Sequence, residues 1–313
     1  MSPRVTVSAR NRIALRRAAV RATLAPSVHN TQPWRLRVGD DGLRLYADVE
    51  RSLAVLDPAR RQLTISCGCA LFNARAALAA DGLGVTVERL PEPLDPALLA
   101  VVADTPDAPV DAAAARLDAL VELRHTNRRP FADEPVPAEV LTCVTEAMEA
   151  EGARALVVSG ERDRALIGEL SEESDRMENL NAEYRAELRS WTSRDPGRVD
   201  GVPVGADGFE PRSQLGPALV LLGTDEDGPA EWLRAGEALQ RALLEITRHG
   251  FVASPLVQVT EVPMTRAALR EQLCLSAFPH VLLRIGRAPG TPATRRRRLA
   301  DVLSETPTAR TRR

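Results

Sequence analysis

Lysine is absent from this chain: all 41 Lys+Arg residues are arginine. That removes Schiff-base catalysis, a pyridoxal-phosphate site and a Walker-type phosphate loop, each of which needs a lysine amine. With alanine abundant as well, the arginine excess reads as coding bias, so arginine number says little about function. Cysteine is scarce, with four residues at 67, 69, 143 and 274. Cys67-Gly-Cys69 has no second ligand pair, so the thiols read as buried groups of a cytoplasmic protein and no metal site is expected. Neither charge sign dominates, and a formal net charge of −2 gives no global field for nucleic acid or an acidic membrane. Basic residues interrupt the first twenty positions, which are not expected to act as a secretory signal. No stretch is expected to reach the roughly 20 apolar residues of a membrane span.

What is present is ordinary for a globular protein. A hydrophobic content of 44% over 313 residues suffices for two domains, or for one large domain built from two halves. Residues 8–24 read as a basic amphipathic helix ending before Pro26, and 35–38 with 43–48 as a hairpin turning at Gly39–Gly42. A helix is expected over 57–81, capped by Asp57 with Pro58 at its first position and Gly82 at its end. Strands at 84–90 and 98–103 and a helix to about Arg124 follow. A second cycle brings a helix at about 137–151, a strand at 153–158, helices over roughly 161–191, a strand at 218–223, a helix at 229–249 and a strand at 281–285. Mixed hairpin and crossover connections argue an α+β class. Between them, 192–216 is rich in Gly, Pro and Asp, the composition of a functional or disordered loop, and a disordered tail is expected at about 304–313.

The densest chemistry lies at 25–34, Ala-Pro-Ser-Val-His-Asn-Thr-Gln-Pro-Trp. Pro26 and Pro33 stiffen a stretch crowded with donors and acceptors, which suits a planar polar ligand; the same residues also make a polar turn capped by Ser27 or Asn30. A Ser27–His29 hydrolase pair has little support, since no Gly-x-Ser-x-Gly elbow surrounds it. The acidic stretch 169–178 fits a solvated helix face. Arg295–Arg298 lacks interleaved aromatic residues, which favours phosphate or plain surface charge over nucleic acid. Arg124, Thr126 and Arg128 group two guanidiniums round a hydroxyl, a donor set for a phosphate monoester. Ser254–Gln258 offers a mixed surface for an aromatic ring edge.

Together these segments resemble the nitroreductase superfamily of FMN-dependent oxidoreductases. Residues 25–34 look like its A-P-S-x-x-N-x-Q-P-W signature, and Arg124–Phe131 with Glu134–Pro137 resembles its arginine motif. Thr247–Gly250 with Ser254–Leu256 resembles the segment bordering the isoalloxazine, and Val281–Gly286 with its following arginines the closing strand. The motif order is reversed relative to ordinary members, whose arginine motif precedes the Pro-Ser-Asn loop. Since family homodimers build each site from both subunits, the resemblance implies a nitroreductase-like fold, internally duplicated so that one chain mimics the homodimer, as in the Acg-type branch. The expected halves are 1–116 and 117–313, with 192–216 as a lid anchored by Trp191. The implied FMN site comprises Pro26, Ser27, His29, Asn30, Arg124, Thr126, Arg128, Ser254, Pro255, Leu256, Val257, Gln258, Arg296 and Arg297, with the chemistry carried by the flavin and no protein acid or base required. The implied activity is hydride transfer between NAD(P)H and a small-molecule acceptor by a monomeric pseudo-dimer. The alternative is a lidded FMN-sequestering protein with little reductase activity.

Overall fold

In the computed structural model, which describes residues 9–40, 42–127, 129–193, 195, 198–203, 215–289 and 293–305, helix α1 (Ala9–Thr23) stops just before Pro26. Ala14, Leu15, Ala18, Ala19 and Ala22 form its buried face. The hairpin follows as β1 (Trp34–Gly39) and β2 (Gly42–Ala47). Its period of two is visible in β1, where Trp34, Leu36 and Val38 are buried and Arg35 and Arg37 exposed. Gly42 is required at the turn: its φ is +132°, and a Cβ there would lie 2.2 Å from the Val102 carbonyl oxygen.

Helix α2 (Arg61–Ala80) begins later than its sequence suggests. Asp57 does cap it, accepting from the Leu63 N–H at 2.8 Å, but Arg60 takes a left-handed conformation and Pro58 stays in the preceding turn. By length and composition α2 could cross a membrane, which corrects the expectation that no segment could; its almost complete burial accounts for that composition. Strands β3 (Val85–Arg89) and β4 (Leu98–Asp104) lead to α3 (Ala112–Ala115). The helix expected to reach Arg124 breaks there into a short 3₁₀ turn at Asp118–Leu120.

Next come α4 (Ala138–Glu149), β5 (Arg154–Val157), α5 (Glu161–Leu180) and α6 (Ala182–Ser190). Asn181 divides the last two, its side chain accepting from the Glu183 and Tyr184 amides. Short pieces β6 (Thr192–Ser193) and β7 (Val202–Pro203) pair in parallel within the glycine-rich stretch. Strand β8 (Ala218–Thr224) and helix α7 (Pro229–Arg248) are followed by β9 (Val252–Leu256), α8 (Gln258–Glu261), α9 (Pro263–Gln272) and β10 (Phe278–Gly286). The chain closes with α10 (Leu299–Val302) and β11 (Leu303–Glu305).

Two sheets result. One has the order β11-β1-β2-β4-β3, with β11 parallel to β1 and the other pairs antiparallel; the other, β5-β8-β10-β9, is antiparallel throughout. The α+β class with mixed and antiparallel sheets is therefore as expected. The tail differs at its start, because Ser304 and Glu305 pair beside Arg37 and Val38; residues 306–313 lie outside the described residues. At the centre α2 crosses α7 backbone to backbone. A Cβ at Gly68 would lie 2.1 Å from the Leu233 carbonyl oxygen, and one at Gly236 2.0 Å from that of Ile65. The main apolar cluster draws on both sides of this crossing, including Leu15, Leu36, Leu71, Leu222, Leu243 and Leu283.

Candidate functional site

The polar loop ahead of β1 is held in an unusual conformation. His29, Asn30 and Gln32 all have positive φ, at 44°, 54° and 51°. Non-glycine residues adopt that region only where surrounding bonds enforce it. Ser27 Oγ accepts from the Gln32 N–H at 2.9 Å, Ser66 Oγ from the Val28 N–H at 3.1 Å, and the Pro33 carbonyl accepts from Cys67 Sγ at 3.2 Å. Ser27 thus accepts from the loop's own backbone through its hydroxyl oxygen.

This loop forms one wall of a cavity. Pro26, Ser27, Val28 and His29 face Gln62, Ile65, Ser66 and Cys69 of α2, Leu239 of α7, Thr126, and Ser254–Gln258 from β9 and the start of α8. Val202, Val281 and Arg284 complete the lining, which contains no carboxylate among the described residues. Nine residues singled out from sequence therefore share one cavity: Pro26, Ser27, His29, Thr126, Ser254, Pro255, Leu256, Val257 and Gln258. Thr126 is fixed there by a parallel bridge to Ala253, reinforced by the Asn127 N–H donating to the Ala253 carbonyl at 2.9 Å.

The arginines separate into different roles. Arg124 is buried and donates to Thr126 Oγ1 at 3.4 Å, one side chain back from the cavity. Arg296 donates to Asn30 Oδ1 at 3.1 Å and to the Leu24 carbonyl at 3.3 Å. Both act on His125, whose pKa is lowered by burial and then by the positive charge of Arg124 and Arg296. Neither Arg124, from the middle of the chain, nor Arg296, from near its end, is among the residues lining the cavity. Arg297 is not brought to this cavity. Buried Asp48 pairs with Arg35 at 3.0 Å and with Arg297 at 3.2 Å, and Arg297 also donates to the Gln32 carbonyl at 3.2 Å. Asn30 is not among the lining residues either; its amide bridges the Gly201 and Arg295 carbonyls at 3.2 and 3.3 Å. Arg128 lies outside the described residues.

The described part of the glycine-rich stretch rests on the loop. Gln32 Nε2 donates to the Val199 carbonyl at 2.9 Å, and Asp200 pairs with Arg51 and, at 2.7 Å, with Arg198. Burial acts to raise the Asp200 pKa, yet its bonds to Arg198 and Arg51 hold it below the usual carboxylate range. Trp191 sits beneath both guanidiniums, 5.2 Å from Arg51 and 5.9 Å from Arg198. Residues 204–214 of the expected lid fall outside the described residues.

Sequence reading missed Gln62, Ser66, Cys69 and Arg284 as cavity residues. The first three recur at helical spacing on one face of α2, and Arg284 interrupts the apolar run Val281–Ile285; both patterns were legible signals. Arg284 is 8% exposed and donates to Ser254 Oγ at 3.0 Å. Burial pushes the Cys69 thiol up to about 12, with Arg124 pulling the other way, so this thiol stays protonated beside the cavity.

No family model matches the sequence. Among curated proteins it is 34% identical to Rv3131 of Mycobacterium tuberculosis, provisionally named an NAD(P)H nitroreductase, over 90% of this chain and 88% of that one. It is 31% identical to acg of the same organism, provisionally named likewise, over 90% of this chain and 92% of that one. Among solved structures, the FMN-dependent nitroreductase NfnB from Mycobacterium smegmatis in complex with NADPH is 20% identical, covering 64% of this chain and 98% of its own, with a TM-score of 0.42. Iodotyrosine deiodinase bound to FMN and 3-iodo-L-tyrosine is likewise 20% identical, covering 58% and 95%, with a TM-score of 0.45. Those structural likenesses are too distant to assign any residue. With identity above 30% spanning nine-tenths of its length, the chain belongs to the nitroreductase family.

Proposed function

We propose that this chain is an FMN-dependent NAD(P)H oxidoreductase holding one FMN and passing hydride to a small-molecule electron acceptor. The observation that carries the reading is the composite cavity. The 26–29 loop and α2 meet Thr126 and β9 around a space without carboxylates among the described residues, with Arg124 bonded to Thr126 of its wall and Arg296 to Asn30, next to His29 in the loop. That donor set fits a flavin mononucleotide: guanidiniums for a phosphate dianion, hydroxyls for a ribityl chain, and a mixed apolar and amide wall for the ring. Arg124 and Arg296 would hold the phosphate, Ser27 and Thr126 the chain, and Ser254–Gln258 with Arg284 the ring. Bound FMN supplies the hydride chemistry; the residues supply position, positive charge and exclusion of water.

The crossing of α2 with α7, each 20 residues long and each beside its own sheet, supports a duplicated chain acting as a monomeric pseudo-dimer. The buried thiols Cys67 and Cys69 suit a cytoplasmic setting. Purified protein should be yellow or should take up FMN on reconstitution. Arg124→Ala should weaken FMN at least about ten-fold, the loss of one charge-assisted phosphate contact. A colourless protein that takes up no FMN would sink the reading.

A second reading, FMN sequestration, draws support from the 199–201 segment seated on the loop. Stopped-flow mixing with NADH and with NADPH separates the two, since bleaching of bound flavin within seconds excludes pure sequestration.

A further inference from the structure

Gln62 is 4% exposed and occupies the first turn of α2, on the same face as Ile65, Ser66 and Cys69. Its Nε2 is buried and has no hydrogen-bond partner among the described residues. A buried amide donor without an acceptor is costly, and proteins retain one where something else satisfies it. Gln62 also lines both this cavity and a neighbouring one bordered by Asp57, Arg61 and Trp232, so its buried amide lies in the wall between two spaces.

Position along α2 says which part of the ligand it meets. Arg61, its neighbour in the first turn, donates to the Thr260 carbonyl of α8 and, at 3.4 Å, to the Pro279 carbonyl of β10, which sets the start of α2 against the end of the Ser254–Gln258 wall. Gln62 therefore shares the cavity with that wall, the one assigned above to the ring. An uncharged part of the ligand with acceptor atoms belongs there.

We infer that Gln62 is a further cofactor-positioning contact, its amide donating to an acceptor atom on the ring of the flavin. The inference rests on the FMN reading. The probes are FMN and riboflavin, which share the ring and differ in the phosphate, titrated into apoprotein with quenching of flavin fluorescence as the signal. Gln62→Met keeps length and removes the donor. It should weaken FMN and riboflavin by the same factor, about ten-fold. It should also raise the thermal midpoint of the apoprotein, because an unsatisfied buried amide has gone. Arg124→Ala, in contrast, should weaken FMN by a larger factor than riboflavin. Gln62→Glu, nearly isosteric and without the donor at pH 8, should weaken both flavins further than Gln62→Met does.

Affinities of Gln62→Met within two-fold of wild type overturn the inference while leaving the FMN reading standing. So does a lowered apoprotein midpoint, which marks a merely structural side chain. Wild-type protein that binds neither flavin overturns the FMN reading and this inference with it.

Discussion

His280 on β10 shows what burial and neighbouring charge do to one imidazole. It is fully buried, with Nε2 2.5 Å from Thr224 Oγ1 and Nδ1 accepting from Arg266 at 3.3 Å. Burial, then Arg266 and Arg61, push its pKa down to about 3, with Asp227 acting the other way. The folded form therefore binds fewer protons than the unfolded chain between pH 6.5 and about 3. Stability held above that window is lost as pH falls through it, by up to about 1.4 kcal/mol per pH unit from this group. His280→Gln should flatten that slope: urea midpoints measured from pH 7 to pH 4 should fall less steeply than in wild type. Equal slopes would show that His280 does not set the acid limit.

At the scale of elements, the α2–α7 crossing is the most sensitive point. Gly68 and Gly236 each place a would-be Cβ within 2.1 Å of a facing carbonyl oxygen, so neither helix can yield without moving the other. Gly68→Ala and Gly236→Ala should each lower stability by about 2–3 kcal/mol, despite the gain in helix propensity. Denaturant unfolding measures this, and a neutral or stabilising Gly68→Ala would mean that the helices separate more freely than their packing implies. Neither glycine was legible as a contact, because a close approach depends on which two helix faces meet, and that is long-range information. Most long elements were legible, since each carries its own period and its own stop signal, as Leu63 to Leu78 and Gly82 show for α2. Strand β9 was not: Pro255 and five-residue length mask it, and its identity comes from pairing with β10. The cavity was legible where the residues form a continuous motif, at 26–29 and 254–258. It was hidden where a wall residue belongs to a core helix or strand, as with Gln62 and Arg284.

At the scale of the molecule, charge and backbone both bind the first half to the second. Glu237 on α7 is fully buried and pairs with Arg75 of α2 and Arg89 of β3, each at 2.7 Å, while Glu151 joins Arg75 to Arg241. Strand β11, from the far end of the chain, supplies the edge of the first sheet beside Leu36–Val38. Removing one carboxylate leaves Arg89 without its partner in a largely dry seam. Glu237→Gln should therefore cost about 2–3 kcal/mol, less than a fully buried pair because both arginines keep some solvent. The same seam predicts the behaviour of a divided chain. Residues 1–116 alone would expose the α2 face and an unpaired β1 edge, and 117–313 alone would bury Glu237 without its arginines. Neither fragment should give a cooperative thermal transition, and mixing them should restore one. A fragment of 1–116 that unfolds cooperatively on its own would show that the seam joins two finished domains, and Glu237→Gln would then weaken their docking without lowering the midpoint of that half.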